Sequence, residues 1–307
     1  MNGSERPGRG GGRSLRSMGL CDQVRTTAAK IAARSRAVSI DLEALETVEP
    51  GPPPTLDPTH HFLEGTREEV ARWVLALDAV NFGSGWFGEL RKRPGCSGYT
   101  TIAWALADHA RAHGPWSARE LRALDTPAVA RVLGQDPRSD LMVLYSQALR
   151  DLGSWLGRRD ALEAIARADG SAERLARLLA DGMEFFDDRG FFKRAQIVPS
   201  DLALAGVAEF SDLDRLTIFA DNVVPHVLRV DGVLRYDEAL ARRIDAGELL
   251  DEGGVEREIR GCAVHACELI AARRGVAPRV LDQWLWNRGR EPRYKAIPRH
   301  RTRCVYY

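Results

Sequence analysis

Between residues 99 and 186, apolar side chains recur three and four positions apart through five successive windows: 99–114, 117–133, 137–157, 159–168 and 171–186. That spacing lays an apolar stripe along each of five helices, and only packing against further helices can cover so many stripes. Residues 22–36, DQVRTTAAKIAARSR, add Val24, Ala28, Ile31 and Ala32 on one helical face. Thr66, with Glu69 three residues on, predicts a capped start for a helix carrying Val70, Val74, Leu75 and Leu77 toward Phe82. Alternating β-branched runs are short, and the segment at the C-terminus is the one evident extended candidate. The expected fold is therefore mainly α: a single helical domain over residues 22–307 with few or no short strands. Residues 1–21 are basic and glycine-rich with no apolar centre, so they read as a disordered leader and not a secretory signal. EPGPPPTLDPTHH at 49–61 reads as a proline-rich connector.

Several function classes drop out early. With 44 Lys+Arg against 43 Asp+Glu the net charge is +1, so any charged site has to be a local patch. The five cysteines form no CxxC pair and are odd in number, which fits a reducing, cytoplasmic compartment better than a disulfide framework. No apolar run approaches the roughly 20 residues that span a bilayer, so no membrane partner is expected. GxGxxG, P-loop, GxSxG and HExxH motifs are all missing. In GCAVHACE at 261–268, Cys262 and His265 share a helical face while Cys267 points away, so three ligands cannot converge on a metal.

The residues left to carry chemistry are acids in apolar company and one basic run. Asp221, in FADNVVPHVLR, follows the apolar stretch 216–220 and precedes Val223, Val224 and Pro225. Two roles fit it: a turn acid ahead of a proline-started helix, or a carboxylate kept half-dry for chemistry. In FFDDRGFFKRAQIVPSDLA, Lys193 stands beside Phe191 and Phe192, where it either lays its stem over the rings or binds an anion. Asp201 closes that stretch; with Asp221 it forms a pair of embedded acids of the kind that stabilise a cationic transition state. RGREPRYKAIPRHRTR at 288–303 holds seven Lys/Arg against Glu291. It is either a solvated face or, packed between LDQWLW and CVYY, a phosphate site. In NFGSGWFG, Phe82 and Trp86 either stack on a planar base or anchor the loop as hydrophobic plugs.

Taken together, HHFLEGTREEVARWVLALDAVNF, FFKRAQIVPSDL, LTIFADNVVPHVLRVDGVLRYDEAL, GELL with VEREIRGCAVHACELI, and LDQWLWNR with YKAIPRHRTRCVYY resemble the queuosine salvage family. The resemblance runs over roughly residues 38–307. It implies an all-α or nearly all-α fold related to helix-hairpin-helix DNA glycosylases. It also implies a hydrolase that releases queuine from queuosine 5′-phosphate for reinsertion into tRNA, using water with no metal or organic cofactor.

On that resemblance Asp221 is the catalytic acid. Phe82, Trp86, Asp201 and His226 would hold the base, while Lys193, Lys295, His300, Arg301 and Arg303 would hold the phosphate and ribose. NFGSGWFG departs from the family's usual Asn-Phe-x-Phe-Trp pattern by an inserted glycine. The implied partner is the small-molecule nucleotide, with no stable nucleic-acid partner; nothing implies an oligomeric state. The competing reading is a helical protein that binds tRNA or DNA, or a DNA-glycosylase-like repair enzyme, supported by the basic run and the basic leader.

Overall fold

Helix-start residues in this chain do what their chemistry allows, and the helices follow from them. The computed structural model describes residues 18–52, 55–188 and 190–307. The expected leader therefore lies, for residues 1–17, outside the described residues; its last two positions, Leu20 and Cys21, are the buried first residues of a helix. In chain order the elements are α1 (Leu20–Ala32), β1 (Val38–Ile40), α2 (Leu42–Leu45), α3 (Arg67–Ala79), α4 (Gly98–His113), α5 (Ala118–Ala123) and α6 (Thr126–Leu133). There follow α7 (Asp140–Leu156), α8 (Ala161–Ala166), α9 (Ala172–Gly182), α10 (Lys193–Leu204), α11 (Val224–Val230) and β2 (Leu234–Tyr236). The last are α12 (Glu238–Asp245), α13 (Gly254–Arg274), α14 (Pro278–Arg288) and α15 (Pro292–Lys295).

The Thr66 cap forms as the spacing predicts: Glu69 N donates to Thr66 Oγ1 at 3.3 Å, and Thr66 N donates to Glu69 Oε2 at 2.8 Å. The window 117–133 is not one helix but two. Asp125 accepts from Ala128 N at 2.8 Å and Pro127 occupies the first turn of α6, so the chain restarts there. The fold is mainly α with one small sheet. Val38, Ser39 and Ile40 pair antiparallel with Tyr236, Arg235 and Leu234. The extended C-terminal candidate makes only an isolated parallel bridge, between Arg301 and Leu249, so the strands lie elsewhere than the sequence suggested.

One contiguous buried cluster runs from Leu20 to Tyr294. The long α13 crosses α1 at Gly261, where a Cβ atom would stand 2.5 Å from Ile31 Cγ2. Helix α10 is wedged between α9 and α3, and α11 rests on α13 and α14. Side chains of α10, α13 and α14 reach the segment that precedes α11. Cys262 and Cys267 lie buried along α13, the Cys262 Sγ 3.9 Å from Val38 O. No helix among the described residues is long and apolar enough to cross a membrane.

Because the α1–α13 crossing leaves no room for a methyl group, Gly261→Ala should cost about 1–3 kcal/mol of stability through overpacking. A shift of the urea unfolding midpoint to lower denaturant checks it; an unchanged midpoint would mean that the helices separate freely at this point.

Candidate active site

Four buried or half-buried carboxylates, on α3, α10, α14 and the segment before α11, lie within electrostatic reach of one ammonium. Helix α10 starts abruptly. Phe192 holds a left-handed backbone at φ 51°, uncommon for a bulky residue, and so turns Lys193 inward as the first helical residue. Its ammonium donates to Asn81 O at 2.9 Å and Asn81 Oδ1 at 3.2 Å, at the end of α3. Asp221, Asp78, Asp282 and Asp201 all lie within electrostatic reach of that ammonium. Burial pushes the Lys193 pKa down, and the negative charge of Asp221 is the first influence opposing it.

Asp221 is 8 % exposed. Its Oδ1 accepts from Val223 N at 2.8 Å and Val224 N at 3.0 Å, so it is the turn acid one reading expected. It is also the buried acid the other reading expected. Burial raises its pKa, opposed by Lys193 and by the two amides. No described residue donates to Oδ2, which leaves that oxygen for a ligand.

The segment leading to Asp221 is laced to three helices. Gln196 of α10 accepts from Thr217 N at 2.9 Å, Asp282 of α14 accepts from Phe219 N at 2.8 Å, and Arg260 of α13 donates through Nε to Ala220 O at 2.8 Å.

Asp78 of α3 is fully buried; neither carboxylate oxygen has a well-formed hydrogen bond among the described residues, and the nearby Asn81 side chain gives its ionised form some support. Burial, then the charge of Asp201, lifts it well above the usual carboxylate range. Asp201, half-buried on α10, is pushed up to about 7 by burial, with Lys193 pulling the other way. Asp282 is raised by burial and then by Asp221. Close carboxylates in a dry site cannot all ionise, so part of this cluster holds protons at neutral pH.

Tyr99 of α4, half-buried, adjoins Asp201 and Asp78 electrostatically and packs edge-on against Trp286 of α14, ring centroids 5.4 Å apart. Its hydroxyl lies 3.2 Å from His61 Nε2, while His61 Nδ1 lies 2.8 Å from Asp57 O. A carbonyl can only accept, so Nδ1 carries the proton and the tyrosine donates to Nε2. The Tyr99 oxygen is left with lone pairs for a donor on a ligand.

The other residues singled out in the sequence scatter. Phe82 is enclosed by Tyr145 at 5.0 Å, Phe185 at 5.9 Å and the Arg194 guanidinium at 4.6 Å, which leaves no ring face for a base. It is the loop plug of the alternative reading. Trp86 is buried in a 3₁₀ turn with Arg303 over its ring at 5.6 Å. His226 is buried, its Nε2 donating to Tyr294 O at 2.7 Å, and burial lowers its pKa. Burial drops His300 to about 3, so it stands neutral and offers no charge to a phosphate.

Lys295 is exposed on α15, Arg301 donates to Gly247 O at 2.6 Å, and Arg303 pairs with Glu89. None of these three is brought to Asp221. The basic residue that is brought there is Arg299, half-buried and electrostatically tied to Asp221. It makes no hydrogen bond or ion pair among the described residues, and nothing in the sequence set it apart from its six basic neighbours. A surface cleft of about 480 Å³ lined by Arg229, Val230, Asp245, Ala296, Ile297 and Pro298 contains none of the four acids. Its own charges are already paired, Arg229 to Asp245 at 2.9 Å, so the chemistry belongs with the acids.

With this cluster in view, the comparison with known proteins is specific. The family model described as "Queuosine salvage protein" matches residues 60–307. The chain belongs to that family. A protein of Sphaerobacter thermophilus named queuosine 5′-phosphate N-glycosylase/hydrolase is 33 % identical over 92 % of this chain and 97 % of its own length. Relatives of the same name in Bos taurus and Nematostella vectensis are 30 % and 28 % identical, covering 79 % and 76 % of this chain and 83 % and 81 % of theirs. The matched region takes in Asp78, Lys193, Asp201, Asp221, Asp282 and Arg299.

A raised carboxylate weakens the fold as it ionises. Between pH about 4 and about 7 the folded chain holds the Asp201 proton that the unfolded chain releases, so stability falls as pH rises through that window. Asp201→Asn should therefore melt above the wild-type chain at pH 8, with the gain shrinking toward pH 4. A gain independent of pH would place the Asp201 titration outside that window.

Proposed function

We propose that this chain hydrolyses the N-glycosidic bond of queuosine 5′-phosphate and releases queuine, with Asp221 as the catalytic carboxylate. The observation that carries the reading is the Asp221 carboxylate: one oxygen held by two amides, the other unclaimed, in a buried cluster in a chain of this family. Departure of the base leaves oxocarbenium character on the ribose. A carboxylate fixed beneath the sugar stabilises that charge and takes the proton of the attacking water.

The leaving base is a 7-deazaguanine, which lacks the ring nitrogen that purine release commonly protonates. Charge building on it must be met at its other edges. The proton retained by the Asp78–Asp201 pair supplies such a donor, and Asp282 offers a second carboxyl group across Lys193. Tyr99 and Trp286 are the aromatic rings beside these acids and take the stacking role first given to Phe82 and Trp86. Lys193 serves as the counter-charge that favours the ionised form of Asp221, and its ammonium is already engaged by both oxygens of Asn81. The 5′-phosphate falls to Arg299. Five free cysteines suit a cytoplasmic setting.

The nucleic-acid reading loses its main support in the same geometry. Arg288 and Arg293 pair with Asp231, Arg303 with Glu89, and Arg301 is tied to the Gly247 carbonyl, so four of the seven basic residues of the 288–303 run already have intramolecular partners.

Incubation with queuosine 5′-phosphate, followed by detection of free queuine by mass, tests the reading directly. Asp221→Asn should lower kcat by about 100- to 1,000-fold with little change in melting temperature. Arg299→Ala should raise KM about tenfold or more with kcat nearly unchanged, as loss of a ground-state contact does. Near-native turnover by the Asp221 variant would remove that residue from the chemistry.

A further inference from the structure

Asp188 and Arg260 lie outside the four-acid cluster, and both are almost fully buried. Arg260 NH1 stands 3.0 Å from Asp188 Oδ1 and its NH2 2.5 Å from Asp188 Oδ2; NH1 also meets Glu256 Oε1 at 3.5 Å. Phe191 and Tyr307 approach the guanidinium at 4.3 Å and 4.6 Å from the ring centroids, so it has little freedom to turn. A buried ion pair is by itself weak evidence of anything but its own neutralisation. Here the remaining bonds of both partners go to two particular backbone groups. Arg260 Nε donates to Ala220 O, the carbonyl of the peptide bond that begins Asp221. Asp188 Oδ2 accepts from Lys193 N at 3.2 Å, the backbone amide from which the site ammonium departs.

We propose that the Asp188–Arg260 pair is a positioning device that fixes the Asp221 carboxylate relative to the Lys193 ammonium. The inference rests on the glycosidase reading above and adds two residues that touch neither sugar nor base. Arg260 fixes the Ala220 peptide plane, and with it the direction in which the Asp221 side chain leaves the backbone. Asp188 holds the first turn of α10 after the left-handed Phe192. Because the Asp188 carboxylate accepts from both Lys193 N and Arg260, and Arg260 in turn holds Ala220 O, neither Asp221 nor Lys193 can shift without straining a bidentate ion pair. Arginine is required for this: lysine keeps the charge for Asp188 but cannot hold two carboxylate oxygens and a carbonyl in one plane.

The test is turnover of queuosine 5′-phosphate by Arg260→Lys, by Asp188→Asn and by the double variant, each with its urea unfolding curve. In the folded variants kcat should fall at least about tenfold while KM stays within about threefold, the pattern of an interaction realised in the transition state. The double variant should be little worse than either single one, since both act through one linkage. An unchanged kcat in a folded variant overturns the proposal while leaving the glycosidase reading intact. Equal losses of kcat and of folded fraction, or failure of all three variants to fold, assign the pair to stability alone and overturn it as well. If the wild-type chain releases no queuine, the functional reading falls and the proposal falls with it.

Discussion

The ammonium of Lys193 is what allows four carboxylic acids to occupy one dry region of this protein. Ionised carboxylates cost several kcal/mol each to desolvate, and neighbours of like sign raise that cost further. Lys193 offsets part of it, first at Asp221, and burial raises Asp78, Asp201 and Asp282 toward their protonated forms. The site is thus divided by charge. Asp221 is the member with two amides and the ammonium favouring its ionised form, whereas Asp78 has, among the described residues, no backbone amide and only the Asn81 side chain beside it. Acids of the same type acquire different protonation states from surroundings alone, and this is the separation an enzyme needs between a group that bears charge and one that gives up a proton.

Packing makes that separation durable. The segment 216–221 belongs to no helix or strand, yet it is laced to α10, α14 and α13 through Thr217, Phe219 and Ala220. An irregular stretch satisfied by side chains from rigid helices can hold an unusual backbone course without sagging. The site therefore draws on residues far apart in the chain, and its precision is inherited from helix packing. The family model begins at residue 60, just ahead of the helix that supplies Asp78.

Much of the fold was legible because helical periodicity and capping are local. The Thr66–Glu69 box and the stripes of α4, α7 and α9 needed no tertiary information. The break at Asp125–Pro127 carried its own signal, an acid followed by a proline in a first turn, which the continuous apolar spacing masked. The two strands are three residues each and pair across nearly two hundred residues, so alternation had no length over which to show. At the site, Asp201 and Asp221 stood out as acids in apolar company. Asp78 in VLALDAV and Asp282 in LDQWLW meet the same criterion, but helix spacing absorbed them as polar interruptions. Phe82 misled because an aromatic on a glycine-rich loop looks available, whereas the loop is folded inward over Tyr145. Arg299 could not be told from its basic neighbours, since only the path of the chain after Pro298 brings it to Asp221.

Arg194, next to Lys193, is buried with no carboxylate ion pair among the described residues, and its two terminal nitrogens donate to the carbonyl oxygens of Ala79, Phe185 and Val305. Those carbonyls come from the early, middle and late parts of the chain. Until all three have been brought together, an interior guanidinium lacks acceptors, and α10 cannot settle against its neighbours. The start of α10, and with it the position of Lys193, is thereby tied to three parts of the chain that are far apart in sequence, a closure that costs loop entropy.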